Sequence, residues 1–372
     1  MERDGAAMSC RWLAWAVLVV AAFAFGCAAT RPQAYSRAAP SADPDTMAAP
    51  AMYQTLCAQC HGPEAEGYAA DHAPSLVNPT FLESAPDAFL RASIDQGRPG
   101  TSMAAYAASV GGPLNPGSVD RLVAWIRSHG PPAQTPVPVA HGDSTRGRAL
   151  YAARCQRCHG DLRTRGDYVW LANPAFLAAA SNPFIQHAIL EGRPGTPMVA
   201  FRGTLDTLQT ADIVAYLRSL ARPLDESRLP PPTGKEPLFA YPHGRTPEFT
   251  IKDGRYVGVD QVARAIGEHR KLVIVDARTE SEWMAVHITG ALSIPHYHLE
   301  RLAQIPKDAW VIAYCACPHH LSGVVIDSLR ASGYPHAYVL DEGILEWERR
   351  GYPIVAAPGV ALPPMEMGAV ER

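Results

Sequence analysis

Cys155-Gln156-Arg157-Cys158-His159 has a twin, Cys57-Ala58-Gln59-Cys60-His61. Both read CxxCH, the attachment signature of a c-type haem. That spacing sets two thiols on one helical turn, where they reach the two vinyl groups of one porphyrin. The adjacent histidine then lies under the iron as its proximal ligand. A single CxxC would serve equally as a disulfide, a redox pair or half a zinc site. A zinc ribbon needs both pairs in one small domain, and these pairs lie too far apart. Each copy is followed by glycine and preceded, four residues upstream, by a tyrosine, Tyr53 or Tyr151. The expectation is two covalently bound haem c groups, held by Cys57, Cys60 and His61 and by Cys155, Cys158 and His159.

The likeness extends outward from the two signatures, so the chain contains an internal repeat. Asn78-Pro79-Thr80-Phe81-Leu82 answers to Asn173-Pro174-Ala175-Phe176-Leu177. Gly97-Arg98-Pro99-Gly100-Thr101-Ser102-Met103 answers to Gly192-Arg193-Pro194-Gly195-Thr196-Pro197-Met198. Each repeat closes on a helical apolar stripe: Val119, Leu122, Val123 and Ile126 in one, Ile213, Val214, Leu217 and Leu220 in the other. The 372 residues divide as a signal segment 1–27, a flexible tether 28–50 and a first domain 51–130. A Pro-rich linker 131–142 follows, then a second domain 143–221 and a second Pro-rich linker 222–249. A third domain spans 250–355, and 356–372 form a tail. The formal net charge of −3 gives no case for nucleic acid, and 47% hydrophobic residues suffice for ordinary cores.

Met103 and Met198 stand about forty residues past their histidines, at matched places in Gly/Pro-rich loops. A lone methionine is usually core filler. Equivalence by repeat favours both as the sixth iron ligands, so the iron ligands expected are His61, Met103, His159 and Met198. Both repeats resemble class I cytochrome c, an all-α fold. The family carries an aromatic residue before the CxxCH helix, matched by Tyr53 and Tyr151. It also carries a turn whose proline carbonyl orients the proximal histidine. Ala73-Pro74-Ser75-Leu76 fits that turn loosely. The second repeat has Val169-Trp170-Leu171 and no proline there, so the resemblance supplies His159 with no such partner and implies unequal potentials. His72, His129 and His187 read as surface or packed residues.

The amino terminus carries Arg11 and an apolar run over 12–25, ending in Ala24-Phe25-Gly26-Cys27. The run is short for a membrane span and fits a signal peptide; an uncleaved anchor is the other reading. It resembles a bacterial lipobox, which implies cleavage before Cys27, lipid attachment there and a membrane-anchored protein on the periplasmic side. Of the 8 cysteines, Cys10 and Cys27 belong to the signal and four to the haems, which leaves Cys315 and Cys317. No disulfide framework remains.

In the third domain, 271–276 and 310–314 read as short apolar strands and 322–332 as a helix, an α/β arrangement. Cys315 then falls between a strand end and a helix amino terminus, where the dipole and free N–H groups favour a thiolate. The domain resembles rhodanese. The matching stretches include Val275-Asp276-Ala277-Arg278, Glu282-Trp283, His287-Ile288-Thr289-Gly290-Ala291, Tyr314-Cys315 and Trp347. The resemblance implies a parallel sheet and a nucleophile, Cys315, that carries sulfane sulfur as a persulfide. The loop departs from the family: Pro318 has no N–H for the sulfur cradle, and His319 and His320 stand in place of a permanent cation. Cys317 leaves three uses open: resolving a persulfide on Cys315, closing a CxC disulfide, or joining Cys315 and a histidine around a soft metal. Asp276, Arg278 and Glu282 read as structural charges at a strand end.

The chain thus reads as multidomain: two all-α cytochrome c domains followed by an α/β rhodanese-like domain. Its expected work is electron transfer through the haems, with sulfane sulfur handled at Cys315, as a sulfurtransferase or a sulfur-compound oxidoreductase. The expected partners are redox proteins of a respiratory or sulfur-oxidising chain, and small sulfur compounds. A pure electron carrier, whose third domain is an inactive docking or metal-binding module, is the alternative.

Overall fold

The computed structural model describes residues 43–316 and 319–358. The signal segment with Cys27, the first part of the tether, Cys317, Pro318 and most of the tail lie outside the described residues. No helix among the described residues is long and apolar enough to cross a membrane.

The first repeat comprises α1 (Ala49–Leu56), α2 (Ala58–His61), α3 (Pro79–Ser84), α4 (Asp87–Gln96) and α5 (Pro116–Arg127). The second repeats them as α6 (Ser144–Arg154), α7 (Gln156–His159), α8 (Pro174–Ala179), α9 (Asn182–Glu191) and α10 (Thr207–Ser219). The quoted Asn-Pro pairs start α3 and α8. Asn78 and Asn173 accept from the N–H of Phe81 and Phe176, and proline takes the first helical position, where no N–H is needed. The closing stripes are buried as their spacing predicts. Arg127 and Arg218 tie these last helices to the same place in each repeat, donating to the carbonyls of Leu82 and Ala85 and of Leu177 and Ala180.

One boundary differs from the expectation. Residues 43–50 belong to the first repeat and not to a tether. The Asp45 carboxylate accepts from Asn115 N at 2.8 Å and from Ser118 Oγ at 2.5 Å, and Arg121 donates to its carbonyl at 2.9 Å. A small polar segment is thereby fixed to the start of α5 by contacts far away in sequence.

The two repeats share one core. Phe81 and Phe89 from the first meet Phe176 and Phe184 from the second, with Phe89 and Phe184 closest at 4.4 Å between ring centroids. Reciprocal hydrogen bonds frame them: Asn78 Nδ2 to Pro194 O and Asn173 Nδ2 to Pro99 O, each 2.9 Å. Arg98 lies over Phe89 and Phe176, and Arg193 over Phe81 and Phe184. Burial lowers both guanidinium pKa values to about 10.

The third domain contains a parallel sheet of order β1-β6-β5-β2-β4: β1 (Tyr256–Val257), β2 (Val273–Asp276), β4 (Ala291–Ser293), β5 (Val311–Tyr314) and β6 (Ala337–Leu340). β3 (Val286–Ile288) and β7 (Ile354–Ala356) form a separate antiparallel pair. The sheet has helices on both faces, as a parallel sheet requires. α13 (Leu321–Ala331) buries Val325, Ile326 and Leu329 in one core, and α11 (Val259–Gly267) and α14 (Gly343–Arg349) bury Val262, Ile266 and Trp347 in the other. α12 (Glu280–Ala285) lies between β2 and β3 in the chain. The 222–249 linker is held rather than free: Leu229 N donates to Met284 O at 2.7 Å, and Leu238 and Phe239 pack on the third domain.

Because one core serves both repeats, Phe89→Ala should cost about 3–5 kcal/mol. It should shift the denaturation of both repeats together, followed by guanidinium titration of the loaded protein.

Candidate functional site

Each CxxCH forms the turn that its spacing predicts. Cys57 precedes α2, which ends at His61; Cys155 precedes α7, which ends at His159. The upstream tyrosines have a definite task. Tyr53 OH donates to Gly62 O at 2.7 Å and Tyr151 OH to Gly160 O at 2.8 Å, which pins the residue after each histidine. Gly62 and Gly160 have φ of +81° and +69°, a conformation that suits glycine.

His61 Nδ1 donates to Pro74 O at 2.8 Å, and His159 Nδ1 to Val169 O at 2.7 Å. The missing proline in the second repeat therefore removes no hydrogen bond. The acceptor is a backbone carbonyl, and Val169 supplies one as well as proline does. In both rings the bond fixes the tautomer and leaves Nε2 as the nitrogen that can face iron. Burial lowers both histidine pKa values, which favours the neutral imidazole that a metal needs. Two thiols on one turn beside such a histidine fit a haem in each repeat.

The methionine loops match closely. Arg98 N donates to Met103 O at 2.7 Å and Arg193 N to Met198 O at 2.8 Å, with Thr101 and Thr196 hydroxyls each 3.2 Å from the following methionine N–H. Both methionines are half-buried, and Met103 packs on the shared core.

In the third domain, β5 ends at Tyr314, and Cys315 follows at the carboxyl edge of the sheet. Its side chain is buried, with Sγ 3.3 Å from Ser322 Oγ in the first turn of α13. The neighbouring charges form a structural cluster. Arg278 donates to Asp276 Oδ2 at 2.7 Å and to Val286 O at 2.6 Å, and Tyr314 OH donates to Asp276 Oδ2 at 2.8 Å. Burial pushes Glu282 up to about 8, and Arg278, 3.6 Å away, offsets this only in part.

The two loop histidines do different things. His319 sits at φ +84°, with Nε2 2.7 Å from Asp341 and its ring stacked on Tyr256. It is therefore engaged outside the Cys315 loop. His320 is within electrostatic reach of Asp71, in the first repeat.

That last contact belongs to an interface that no motif announced. Ser281 Oγ donates to Ala105 O at 2.5 Å, and His296 Nε2 donates to Thr55 O at 3.1 Å. Tyr297 is buried within the core of the cytochrome-like repeats. Gly111 leaves room for Met284: a Cβ there would stand 2.5 Å from its sulfur. Cys315 is within electrostatic reach of Cys60 across this interface. Burial pushes the Cys60 thiol up to about 12, and Asp71, Cys315 and Glu282 add to the shift in that order. Once haem is attached the Cys60 sulfur is a thioether and does not titrate.

Comparison with known proteins agrees with this division. Residues 44–126 and 142–217 match the family described as cytochrome C oxidase, cbb3-type, subunit III, and residues 259–350 match the rhodanese-like domain. A sulfurtransferase of Allochromatium vinosum is 32% identical over 101 residues, covering 27% of this chain and 94% of that protein. A dihydro-heme d1 dehydrogenase of Pseudomonas aeruginosa is 38% identical over 79 residues, 21% of this chain and 16% of that protein. A probable adenylyltransferase/sulfurtransferase, MoeZ, of Mycobacterium tuberculosis is 33% identical over 87 residues, 23% of this chain and 22% of that protein. The chain thus spans under a quarter of the latter two. Among solved structures, a Kuenenia stuttgartiensis reducing HAO-like protein complex aligns with 18% identity, 48% of this chain and 97% of that one, at a TM-score of 0.32.

The two-haem assignment is checked by counting. Pyridine haemochrome analysis of Cys155→Ser/Cys158→Ser, made in a host that attaches haem, should find about half the covalent haem of the unaltered protein.

Proposed function

From a chain that belongs to the cytochrome c family through its two repeats and to the rhodanese-like family through its third domain, we propose a sulfur-oxidising electron-transfer protein. Cys315 receives the sulfur and the haems take the electrons. The observation that carries this reading is the docking of the third domain on the first repeat through Ser281–Ala105 and His296–Thr55, which brings the Cys315 loop within electrostatic reach of Cys60.

The chemistry has a definite balance. A Cys315 thiolate and hydrosulfide form one S–S bond, giving a persulfide, one proton and two electrons. Each haem, when bound, supplies a one-electron acceptor, so the pair matches the yield. His61 with Met103 and His159 with Met198 would hold the two haems, which would supply one-electron transfer rather than oxygen activation. Ser322, in the first turn of α13, holds its hydroxyl 3.3 Å from the sulfur, and the positive end of that helix favours a thiolate. Cys315 is buried, so the reading favours small sulfur species over bulky donors.

Export follows from the same reading. The run 12–25 directs the chain across the membrane, and lipid on Cys27 holds it on the periplasmic side, where covalent haem attachment takes place. Cys27→Ala should move the protein from the membrane to the soluble fraction, read by haem-stained fractionation.

The enzyme reading is tested with oxidised, loaded, full-length protein mixed with sulfide, polysulfide or thiosulfate, following the reduced haem band. At least one donor should reduce the unaltered protein about tenfold faster or more than Cys315→Ser, a barrier difference of about 1.4 kcal/mol. Equal rates for every donor would leave only the electron carrier.

A further inference from the structure

The first repeat and the 222–249 linker enclose a cavity of about 400 Å³, lined by none of the haem or sulfur residues described above. Val110, Leu114 and Leu224 give it apolar walls, and its charged groups are Asp95, Glu226 and Arg228. Backbone hydrogen bonds hold both sides. Ala108 N donates to Leu114 O at 2.7 Å, Gly112 N to Ala107 O at 2.8 Å and Leu114 N to Tyr106 O at 2.9 Å, which closes the 106–114 loop. Tyr106 N donates to Ile94 O at 2.9 Å and ties that loop to the end of α4. On the linker side, Ser227 N donates to Asp225 Oδ1 at 2.8 Å, and Leu229 N is bound to Met284 O. The cavity is therefore preformed.

Opposite charges line this space without meeting. Arg228 uses Nη1 on Ser227 O at 2.7 Å, while its buried Nε has no hydrogen-bond partner among the described residues. Among those residues, Asp95, Glu226 and Arg228 belong to no ion pair. Arg91, one turn before Asp95 on α4, is committed to Asp120. Burial raises the pKa of the half-buried Asp95 carboxyl, and Arg91 offsets this only in part. The cavity thus presents a guanidinium edge that lacks an acceptor and, apart from it, a carboxylate that lacks a cation. A buried N–H without an acceptor is costly, so the arrangement calls for a group that supplies one.

We propose that this cavity binds a free α-amino acid with an apolar side chain. Its carboxylate pairs with Arg228 along the Nε–Nη2 edge, after a small turn of that side chain, in the two-pronged geometry that guanidinium groups favour. Its ammonium pairs with Asp95, with Glu226 at the exposed side, and its side chain lies on Val110, Leu114 and Leu224. The charge pattern selects the class. A plain carboxylate would meet Arg228 and be repelled by two acids. A plain amine would leave Arg228 without its acceptor, and a metal ion would face a guanidinium. A zwitterion completes both ends at once. The volume lies at the lower end of small-molecule sites, which suits one amino acid and not a peptide. Binding is non-covalent throughout. One wall is the first repeat and the other is the linker that leads to the third domain, so the ligand joins the two. The proposal rests on neither the haem nor the sulfur reading above.

The probe is L-leucine, titrated calorimetrically into the loaded full-length protein. Leucine should bind. Isocaproate, which lacks the ammonium, and isopentylamine, which lacks the carboxylate, should each bind about tenfold more weakly or worse, since one charge is left unmet. R228Q and D95N should each weaken leucine binding about tenfold or more, with an unchanged Soret band. R222Q, which removes the same charge from the same linker outside the cavity, should bind leucine like the unaltered protein. A measurement on the unaltered protein stands beside the variants: leucine should slow the modification of Arg228 by phenylglyoxal, read by peptide mass. No leucine binding at about ten millimolar, isocaproate bound as tightly as leucine, equal losses in R228Q and R222Q, or an Arg228 modification rate that leucine leaves unchanged would each overturn the proposal.

Discussion

Tyr297 lies in a core that is not its own. It comes from the third domain and is buried among the helices of the cytochrome repeats, flanked by the Ser281–Ala105 and His296–Thr55 hydrogen bonds. A buried aromatic ring contributes most of the energy of such a contact, and the two hydrogen bonds set its register. Everything proposed about coupling follows from this docking. It packs the third domain on the first repeat and brings Cys315 within electrostatic reach of Cys60. Without it, the chain would be an electron carrier and a sulfurtransferase domain joined only by a linker.

The haem pair has a similar logic. Two repeats that share four phenylalanines behave as one body, and the reciprocal Asn78 and Asn173 bonds fix their relation. Arg98 and Arg193 add cations between aromatic faces and satisfy their N–H groups on carbonyls and hydroxyls. The cost of burying those charges is visible in their lowered pKa values. Duplicated parts have thus become asymmetric at their surfaces: the loop after the first CxxCH carries Glu64 and Glu66, and the loop after the second carries Arg163 and Arg165.

Most of the local structure could be read from the chain. The CxxCH turns and the apolar stripes are short-range patterns, and each formed where its physics required. The carbonyl behind His159 could not be read, because a backbone oxygen belongs to every residue and Val169 has no distinguishing side chain. His319 was legible as a basic replacement in the sulfur loop but not as a partner of Asp341, which is far away in sequence. Asp45 looked like tether for the same reason. The docking residues Ser281, His296 and Tyr297 carry no motif; their roles exist only once two domains meet.

The central claim is that sulfur bound at Cys315 gives up its electrons to the haems of the same chain. It is tested most directly by stoichiometry. Fully oxidised protein is given one equivalent of sulfide without oxygen, and haem reduction is measured alongside the intact mass of the Cys315 peptide. The account predicts one added sulfur atom on Cys315 for every two haems reduced. Haem reduction with an unmodified Cys315 peptide, or a persulfide formed with both haems still oxidised, would contradict it.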